Sequence, residues 1–250
     1  MPEVIKLLIL FAVGLLAGFI NVMAGGGSTL TMPMMIFLGL NGIVANGTNR
    51  IAIFIQNLSA LRSFHLEKAY EFKPIFKMAL WTLPGAITGA LVAVQINNTL
   101  FQRILAFVII IVVISIFLPS PADKTSNNSL SKNSWLIYPA LLAIGFYGGF
   151  IQAGVGFLFM AALRHILHFD LVKVNRYKIF MIFIYTIPAL FIFAFHGKID
   201  YIYAIVLASG NALGAWWSAK ISSRKGEKVI RFVLLGVVIL MAAKLLKHFN

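Results

Sequence analysis

The chain has 250 residues, of which 60% are hydrophobic and only 11% are charged, and its mean hydropathy is +0.93. Soluble domains have about 25% charged residues, so this composition excludes a soluble domain and predicts an integral membrane protein. The formal net charge of +14 does not indicate nucleic acid as a partner, because cytoplasmic Lys and Arg and the anionic headgroups of a lipid bilayer explain it. The chain has no cysteine, which excludes disulfides and thiolate metal sites.

Long apolar runs recur along the whole chain. At roughly 20 residues per full span, such a chain holds about eight to ten helical segments. No run shows the alternation of apolar and polar residues that a membrane β-barrel needs, so we predict an all-α polytopic membrane protein. The N-terminal run is interpreted as the first membrane helix rather than as a removed signal. In chain order, the predicted full-length runs are 4–24, 51–64, 78–96, 104–118, 135–153, 179–195, 201–219 and 229–246.

The first run ends in a cluster of glycines. From Asn21 onward the sequence reads N-V-M-A-G-G-G-S-T-L-T-M-P, so three glycines interrupt the apolar run and a serine and a threonine open a new one. The new run, 28–40, would be about 20 Å long, too short for a hydrocarbon core of about 30 Å, and is predicted to be a half-helix. A helix that begins in this way presents unpaired backbone N–H groups and a partial positive charge, which favour an anion.

The same pattern returns in the second half of the chain. The G-F-I-N of residues 18–21 matches the G-F-I-Q of residues 149–152, and glycines and a short apolar run, 157–169, follow the second copy as well. One G-x-x-x-G pair usually indicates only close helix packing, but four pairs in matched places favour a duplication. The four pairs are Gly14/Gly18, Gly85/Gly89, Gly145/Gly149 and Gly210/Gly214.

We therefore predict two repeats, residues 1–118 and 135–250, joined by a cytoplasmic linker at 119–134 that is rich in Ser, Asn and Lys. Each repeat would hold about five helical segments, including a short half-helix after its Gly break, as in many secondary transporters. Since five is odd, the second repeat would be inverted relative to the first. One set of loops contains 15 of the 21 Lys and Arg residues, which predicts that these loops are cytoplasmic and that both termini are outside. The loops are 62–77, 119–134, 164–178 and 220–231.

Polar residues cluster at the two glycine breaks and at two further predicted breaks, 41–50 and 170–178. A guanidinium such as that of Arg50 suits an oxyanion through paired hydrogen bonds. Arg50 could instead be an interfacial residue that extends toward water, and Arg176 and Lys178 could be ordinary cytoplasmic charge. The candidate substrate-binding residues are Asn21, Gly25, Gly26, Gly27, Ser28, Thr29, Asn46, Thr48, Arg50, Gln56, Gln152, Gly154, Gly156, Asn175 and Arg176.

All seven acidic residues lie at predicted helix ends or in loops, so no carboxylate is placed in the membrane to carry protons or Na⁺. A cation carrier based on carboxylates is therefore disfavoured. The sequence has no nucleophile–base constellation, phosphate-binding loop or H-E-x-x-H motif, and His165 and His168 lack a third metal ligand nearby. We therefore predict that the protein is not an enzyme and needs no metal or other cofactor.

Three motifs in order, G-F-I-N-V-M-A-G-G-G-S-T-L-T-M-P, A-N-G-T-N-R and G-F-I-Q-A-G-V-G, carry a resemblance to a known family. The chain resembles the sulfite exporter TauE/SafE family over residues 5–247. The resemblance implies a multi-pass protein of the bacterial inner membrane that transports small sulfur-containing anions, such as sulfite, sulfoacetate or related organosulfonates. The chain departs from the family pattern at Arg176 and Tyr177, where a small Thr or Ser is usual, and this leaves the substrate open.

The leading hypothesis is a secondary transporter that works by alternating access and holds its anion between the two glycine breaks. An anion channel of the same architecture is the first alternative, and a structural membrane scaffold whose glycines only pack helices is the second. The expected partners are a small anionic substrate and the lipid bilayer, with a homodimer possible. The sequence leaves open the direction of transport and the coupling ion.

Overall fold

The structure, a computed structural model, describes residues 2–66, 72–117 and 134–225, and these form α-helices and one short 3₁₀ turn, Ser134–Leu136. The predicted all-α fold is therefore confirmed. Most of the predicted linker 119–134 and the predicted last span 229–246 lie outside the described residues. The helices are α1 (Glu3–Ala24), α2 (Ser28–Phe37), α3 (Gly42–Leu66), α4 (Phe72–Gln95), α5 (Asn98–Phe117), α6 (Ile137–Phe150), α7 (Val155–Leu167), α8 (Leu171–Phe195) and α9 (Tyr201–Lys225).

Three of the described helices are long and apolar enough to cross a membrane by length and composition. They lie at Glu3–Ala24, Pro74–Gln95 and Leu171–Phe195. Helices α3 and α9 are also 25 residues long, but they are more polar. Within a membrane, a helix with polar residues is stable only where other protein surrounds its polar face. This requirement fits the central position of α3 and α9.

Both predicted half-helices are present. Helix α2 has 10 residues and α7 has 13, so they are about 15 Å and 20 Å long and cannot cross a bilayer alone. Gly25 ends α1 with a φ of 84°, and Gly154 precedes α7 with a φ of 70°. Glycine reaches this left-handed backbone region without steric cost, so each break turns the chain sharply between a long helix and a short one.

The predicted breaks at 41–50 and 170–178 are wrong. Residues 42–50 form the first turns of α3, and residues 171–178 form those of α8, so the polar side chains there are carried on helices rather than loops. One residue at the start of each segment explains the difference, since it satisfies a free backbone N–H group. The Asn41 side chain accepts from Ile43 N at 2.9 Å, and Asp170 accepts from Lys173 N at 2.9 Å. The predicted charged loop 62–77 is also shortened, because α3 continues to Leu66 and α4 begins at Phe72.

The G-x-x-x-G pairs form two reciprocal interfaces between the halves of the chain. Helix α1 packs along α9, and α4 packs along α6. A Cβ atom on any of these glycines would overlap the backbone of the facing helix, so the glycines allow the backbones to approach closely. The interfaces consist of Gly14 and Gly18 with Gly210 and Gly214, and of Gly85 and Gly89 with Gly145 and Gly149.

Exchanging the two halves preserves the pattern of helix contacts. The first helix of each half packs on the fourth helix of the other, and α3 crosses α8 in the middle. At this crossing Phe54 stacks on Phe183 with ring centroids 5.0 Å apart, and these are the residues that a 129-residue offset aligns. This pattern supports the predicted duplication, whereas the inverted orientation of the second repeat and the repeat boundaries stay predictions.

Candidate functional site

The two glycine breaks touch. A Cβ atom on Gly25 would overlap the backbone of Gly156, and a Cβ atom on Gly156 would overlap the backbone of Gly25. Every residue from 21 to 29 and from 151 to 156 is buried. We call this contact the crossing; there the N-termini of α2 and α7 lie beside the C-terminal ends of α1 and α6.

Several backbone N–H groups at the crossing have no hydrogen-bond acceptor among the described residues. They belong to Gly26 and Ser28 in the first break and to Ala153, Gly154 and Gly156 in the second. Buried backbone N–H groups without a partner are rare in proteins, and at the start of a helix they form a site for an anion. Unpaired backbone donors therefore occur in both breaks, whereas the N–H groups of Gly25, Gly27 and Thr29 are already paired within the first break.

Amide side chains form a cluster on the first-repeat side. Asn21 Nδ2 and Asn211 Nδ2 each donate to Gln56 Oε1 at 3.2 Å, and Asn21 Oδ1 accepts from Gly27 N at 3.2 Å. The structure thus brings together the predicted residues Asn21 and Gln56. Asn211 was not predicted, although a polar residue inside an apolar helix is costly and is often functional.

A second polar cluster lies on the second-repeat side. Gln152 has a φ of 64°, in the left-handed region that non-glycine residues rarely adopt. Its Nε2 donates to Thr186 Oγ1 at 3.3 Å, whereas its Oε1 has no partner among the described residues. Strained backbone of this kind persists where the surrounding structure imposes it, often at a functional site.

Arg50 is fully buried and carries a positive charge into this cluster. Its Nη1 donates to Gly148 O at 3.2 Å, its Nη2 donates to Gly149 O, and its guanidinium lies 4.4 Å above the ring of Phe193. Its Nε has no partner in the described part of the chain. The interfacial interpretation of Arg50 is therefore wrong, because the side chain does not reach water.

Lys178 is a second fully buried cation, which the sequence led us to treat as ordinary cytoplasmic charge. Its Nζ donates to Asn21 O at 3.2 Å, Val22 O at 2.9 Å and Asn175 Oδ1 at 2.9 Å. These three acceptors use all three ammonium N–H groups. Lys178 therefore binds the C-terminal end of α1 from α8, just as Arg50 on α3 binds the C-terminal end of α6.

The remaining predicted residues have different roles. Thr29 Oγ1 donates to Gly26 O at 2.6 Å, within the first break, and Asn46 Nδ2 donates to Phe150 O at 2.7 Å, at the end of α6. Thr48 accepts from Asp200 N at 2.9 Å, which fastens α3 to the turn before α9 rather than to the crossing. Arg176 is only half-buried, and its Nε has no partner among the described residues.

The electrostatic balance at the crossing favours negative charge. The C-terminal ends of α1 and α6 carry partial negative charge, which the whole charges of Lys178 and Arg50 outweigh. Neither cation is paired with a carboxylate among the described residues. The N-termini of α2 and α7 add partial positive charge, so an anion would reduce the electrostatic cost of burying these groups.

An external groove of about 420 Å³ is separate from this site. It lies between α4 and α6 and is apolar. The groove is lined by Pro84, Gly85, Thr88, Pro139, Leu142, Ala143 and Phe146. None of these residues belongs to the crossing.

Comparison with known proteins agrees with this architecture. Residues 10–245 match the model of the family described as sulfite exporter TauE/SafE. The chain belongs to the sulfite exporter TauE/SafE family. The match extends across both glycine breaks, so the crossing lies within the family region.

Curated relatives match almost the whole chain. A "Probable membrane transporter protein" of Haemophilus influenzae is 30% identical over 242 residues, which are 96% of this chain and 94% of the relative. YfcA of Escherichia coli, named a probable membrane transporter protein, is 29% identical over 95% of this chain and 88% of its own length. YjnA of Bacillus subtilis, with the same description, is 27% identical over 94% of this chain and 96% of its own length. No solved structure matches the chain.

The family and the relatives' names establish the general function. The chain is a multi-pass membrane transporter of the TauE/SafE type. The relatives are described as transporters rather than as enzymes. The substrate has to be inferred from the site itself.

Proposed function

We propose that the protein is a secondary transporter of the bacterial inner membrane that carries sulfite or a small organosulfonate such as sulfoacetate by alternating access. The family description, which names sulfite, supports the sulfur anion. Arg50 carries the proposal, because its buried charge has no carboxylate partner among the described residues and its Nε is free. A guanidinium with free N–H groups suits the oxygens of a sulfite or sulfonate group.

The closed crossing fits one state of an alternating-access cycle. The breaks are in contact and Arg50 is fully buried, so the anion would reach the site only when the two halves move apart. Transporter sites lie at such interfaces between repeats, where interrupted helices meet. A permanently open channel would instead need a continuous path for water past the same residues.

A structural scaffold would also use the close contact at Gly25 and Gly156, because that contact is a packing feature. Packing does not account for the free backbone N–H groups at the breaks or for the unpaired Nε of the buried Arg50. Such groups cost free energy when they are left unpaired in a low-dielectric interior. A scaffold would be more stable without them, which favours the transporter.

Uptake of ³⁵S-labelled sulfite into proteoliposomes that contain the purified protein tests the proposal. We expect saturable uptake that unlabelled sulfite or sulfoacetate inhibits, together with counterflow from preloaded vesicles. Flux that does not saturate and supports no counterflow would indicate a channel. If neither sulfite nor sulfoacetate gives flux above that of empty liposomes, the proposed substrate class is wrong.

Replacing Arg50 by leucine is expected to reduce sulfite uptake to the level of empty liposomes, because the buried counter-charge is lost. Arg50→Lys keeps the charge but loses the planar fork, so we expect uptake with a KM raised about tenfold, since one charge-assisted hydrogen bond contributes about 1.5–3 kcal/mol. Arg103→Leu, an exposed arginine on α5, is the control and should transport normally. Normal uptake by Arg50→Leu would contradict a binding role for Arg50.

A further inference from the structure

The two polar clusters at the crossing occupy matched positions but are chemically different. The offset of 129 residues that aligns Asn46 with Asn175 also aligns Gln56 with Tyr185. In the first repeat the Gln56 oxygen accepts two hydrogen bonds, and both ends of the Asn21 amide are paired. In the second repeat the Tyr185 hydroxyl has no partner among the described residues. Tyr185 Oη, Gln152 Oε1 and Arg50 Nε are thus unpaired on this side of the crossing, against Asn211 Oδ1 in the cluster around Gln56.

The Tyr185 hydroxyl is buried and has no hydrogen-bond partner among the described residues. The side chain has 0% exposure, and buried tyrosine hydroxyls usually find a hydrogen-bond partner. The ring is held in place by stacking on Phe159, with centroids 6.1 Å apart. A hydroxyl fixed in this way can donate to a ligand oxygen without rearrangement of the ring.

Gly148 brings the Tyr185 hydroxyl and Arg50 together. The oxygen of Gly148 accepts from Arg50 Nη1 at 3.2 Å. A Cβ atom at position 148 would lie 2.6 Å from the hydroxyl oxygen of Tyr185. Both side chains therefore contact the same residue of α6, and any larger residue there would displace the hydroxyl.

Arg50 keeps donors available after binding the end of α6. A guanidinium has five N–H groups, and the Gly148 and Gly149 carbonyls use two of them. The Nε–H group is free of any partner among the described residues. An anion beside the guanidinium can therefore bind without breaking the contacts that fix it.

We propose that the Arg50 guanidinium and the Tyr185 hydroxyl form an oxyanion subsite on the second-repeat side of the crossing, with Gln152 beside it. One oxygen of a sulfite or sulfonate group accepts from the guanidinium, and another accepts from the phenol. This inference rests on the proposed function and identifies which half of the crossing binds the charged group.

Tyr185→Phe tests the subsite with little structural disturbance. The change removes only a hydroxyl that forms no hydrogen bond to the described protein, so the midpoint of thermal unfolding in anion-free buffer should stay unchanged. The Kd for sulfite, measured by calorimetry on the purified full chain, should rise about tenfold, the effect of losing one hydrogen bond to a charged group. The KM for sulfite uptake should rise by a similar factor.

Tyr138→Phe, on α6 against Trp81, is the matched control and should leave the Kd unchanged. An unchanged Kd in Tyr185→Phe, with wild-type protein that binds and transports sulfite, would overturn the subsite and leave the proposed function intact. A fall in the anion-free unfolding midpoint that accompanies the loss of affinity would assign Tyr185 a structural role and would also overturn the subsite. Wild-type protein that neither binds nor transports sulfite or sulfoacetate would overturn both.

Discussion

Replacing Lys178 by methionine is expected to destabilise the protein by about 3 kcal/mol and to abolish transport. The ammonium donates to the Asn21 and Val22 carbonyls and to the Asn175 side chain, all in a fully buried position. Methionine keeps the length and the apolar stem but cannot donate. The Val22 carbonyl and the Asn175 amide oxygen would then lack a partner in the interior, whereas Asn21 O would keep its hydrogen bond from Gly25 N at 2.9 Å.

Two effects oppose each other in this variant, and their magnitudes decide the result. Removing a buried charge relieves its desolvation, which by itself would stabilise the protein. The charge, however, is already compensated by three acceptors and by the negative end of α1. Each acceptor left unpaired costs about 1–3 kcal/mol, so the loss should exceed the gain.

Thermal unfolding of the purified protein measures the effect of Lys178→Met. For a chain of this size, about 3 kcal/mol corresponds to a midpoint lower by roughly 6–12 °C. Lys220→Met, which removes an exposed lysine of α9, should shift the midpoint by less than about 2 °C, since surface substitutions stay within about 0.5 kcal/mol. A Lys178→Met protein as stable as the wild type would show that other groups satisfy the end of α1.

Sequence periodicity and length predict a helical segment when its neighbours are lipid or a facing helix. The run 4–24 became α1, and the half-helix 28–40 became α2 with an earlier end. The four glycine pairs predicted close contacts, and the structure adds which helix each pair faces. That pairing depends on contacts between residues far apart in sequence, which no local pattern contains.

Charge was the least reliable guide to position. The charge count places Lys178 in a cytoplasmic loop and Arg50 on the opposite side, but both residues lie inside helices, α8 and α3, and are fully buried. The error came from treating polar stretches as loops, because a single capping residue such as Asp170 can continue a helix through them. Without these two residues the counts become 14 and 5 instead of 15 and 6, so the predicted orientation of the chain is unchanged.

Some residues of the candidate site could have been found from the sequence. The 129-residue offset already aligned Asn46 with Asn175, and the same offset points from Gln56 to Tyr185. Asn211 lies between two glycines of a matched pair and is a polar residue in an apolar run. The same reasoning therefore makes it a candidate site residue. The free hydroxyl of Tyr185 and the free N–H groups of the breaks could not be predicted, because only three-dimensional packing decides which polar groups lack partners.

Gly156→Ala is expected to cost about 3 kcal/mol or more and to stop transport, because its Cβ atom would push the two breaks apart. Comparison with Gly197→Ala separates the effect of this contact from the effect of backbone conformation. Gly156 lies within α7 and has no positive φ, so helix propensity alone predicts that alanine stabilises this position by about 1 kcal/mol. Gly197 has a φ of 64° with nothing within 4 Å of an added Cβ, so alanine there should cost only about 1 kcal/mol of backbone strain.

Backbone preference therefore predicts that Gly156→Ala is the more stable of these two variants. Contact at the crossing predicts instead that Gly197→Ala is the more stable. If the touching breaks dominate, Gly156→Ala is the less stable protein in thermal unfolding and the one that loses sulfite uptake, while Gly197→Ala retains uptake. If Gly156→Ala proves more stable than Gly197→Ala, the closed contact with Gly25 is not the main state of the protein. The crossing would then be open for most of the time, and Arg50 would be accessible to water and anions. Reaction of a Gly26→Cys variant with a charged thiol reagent would reveal this open state.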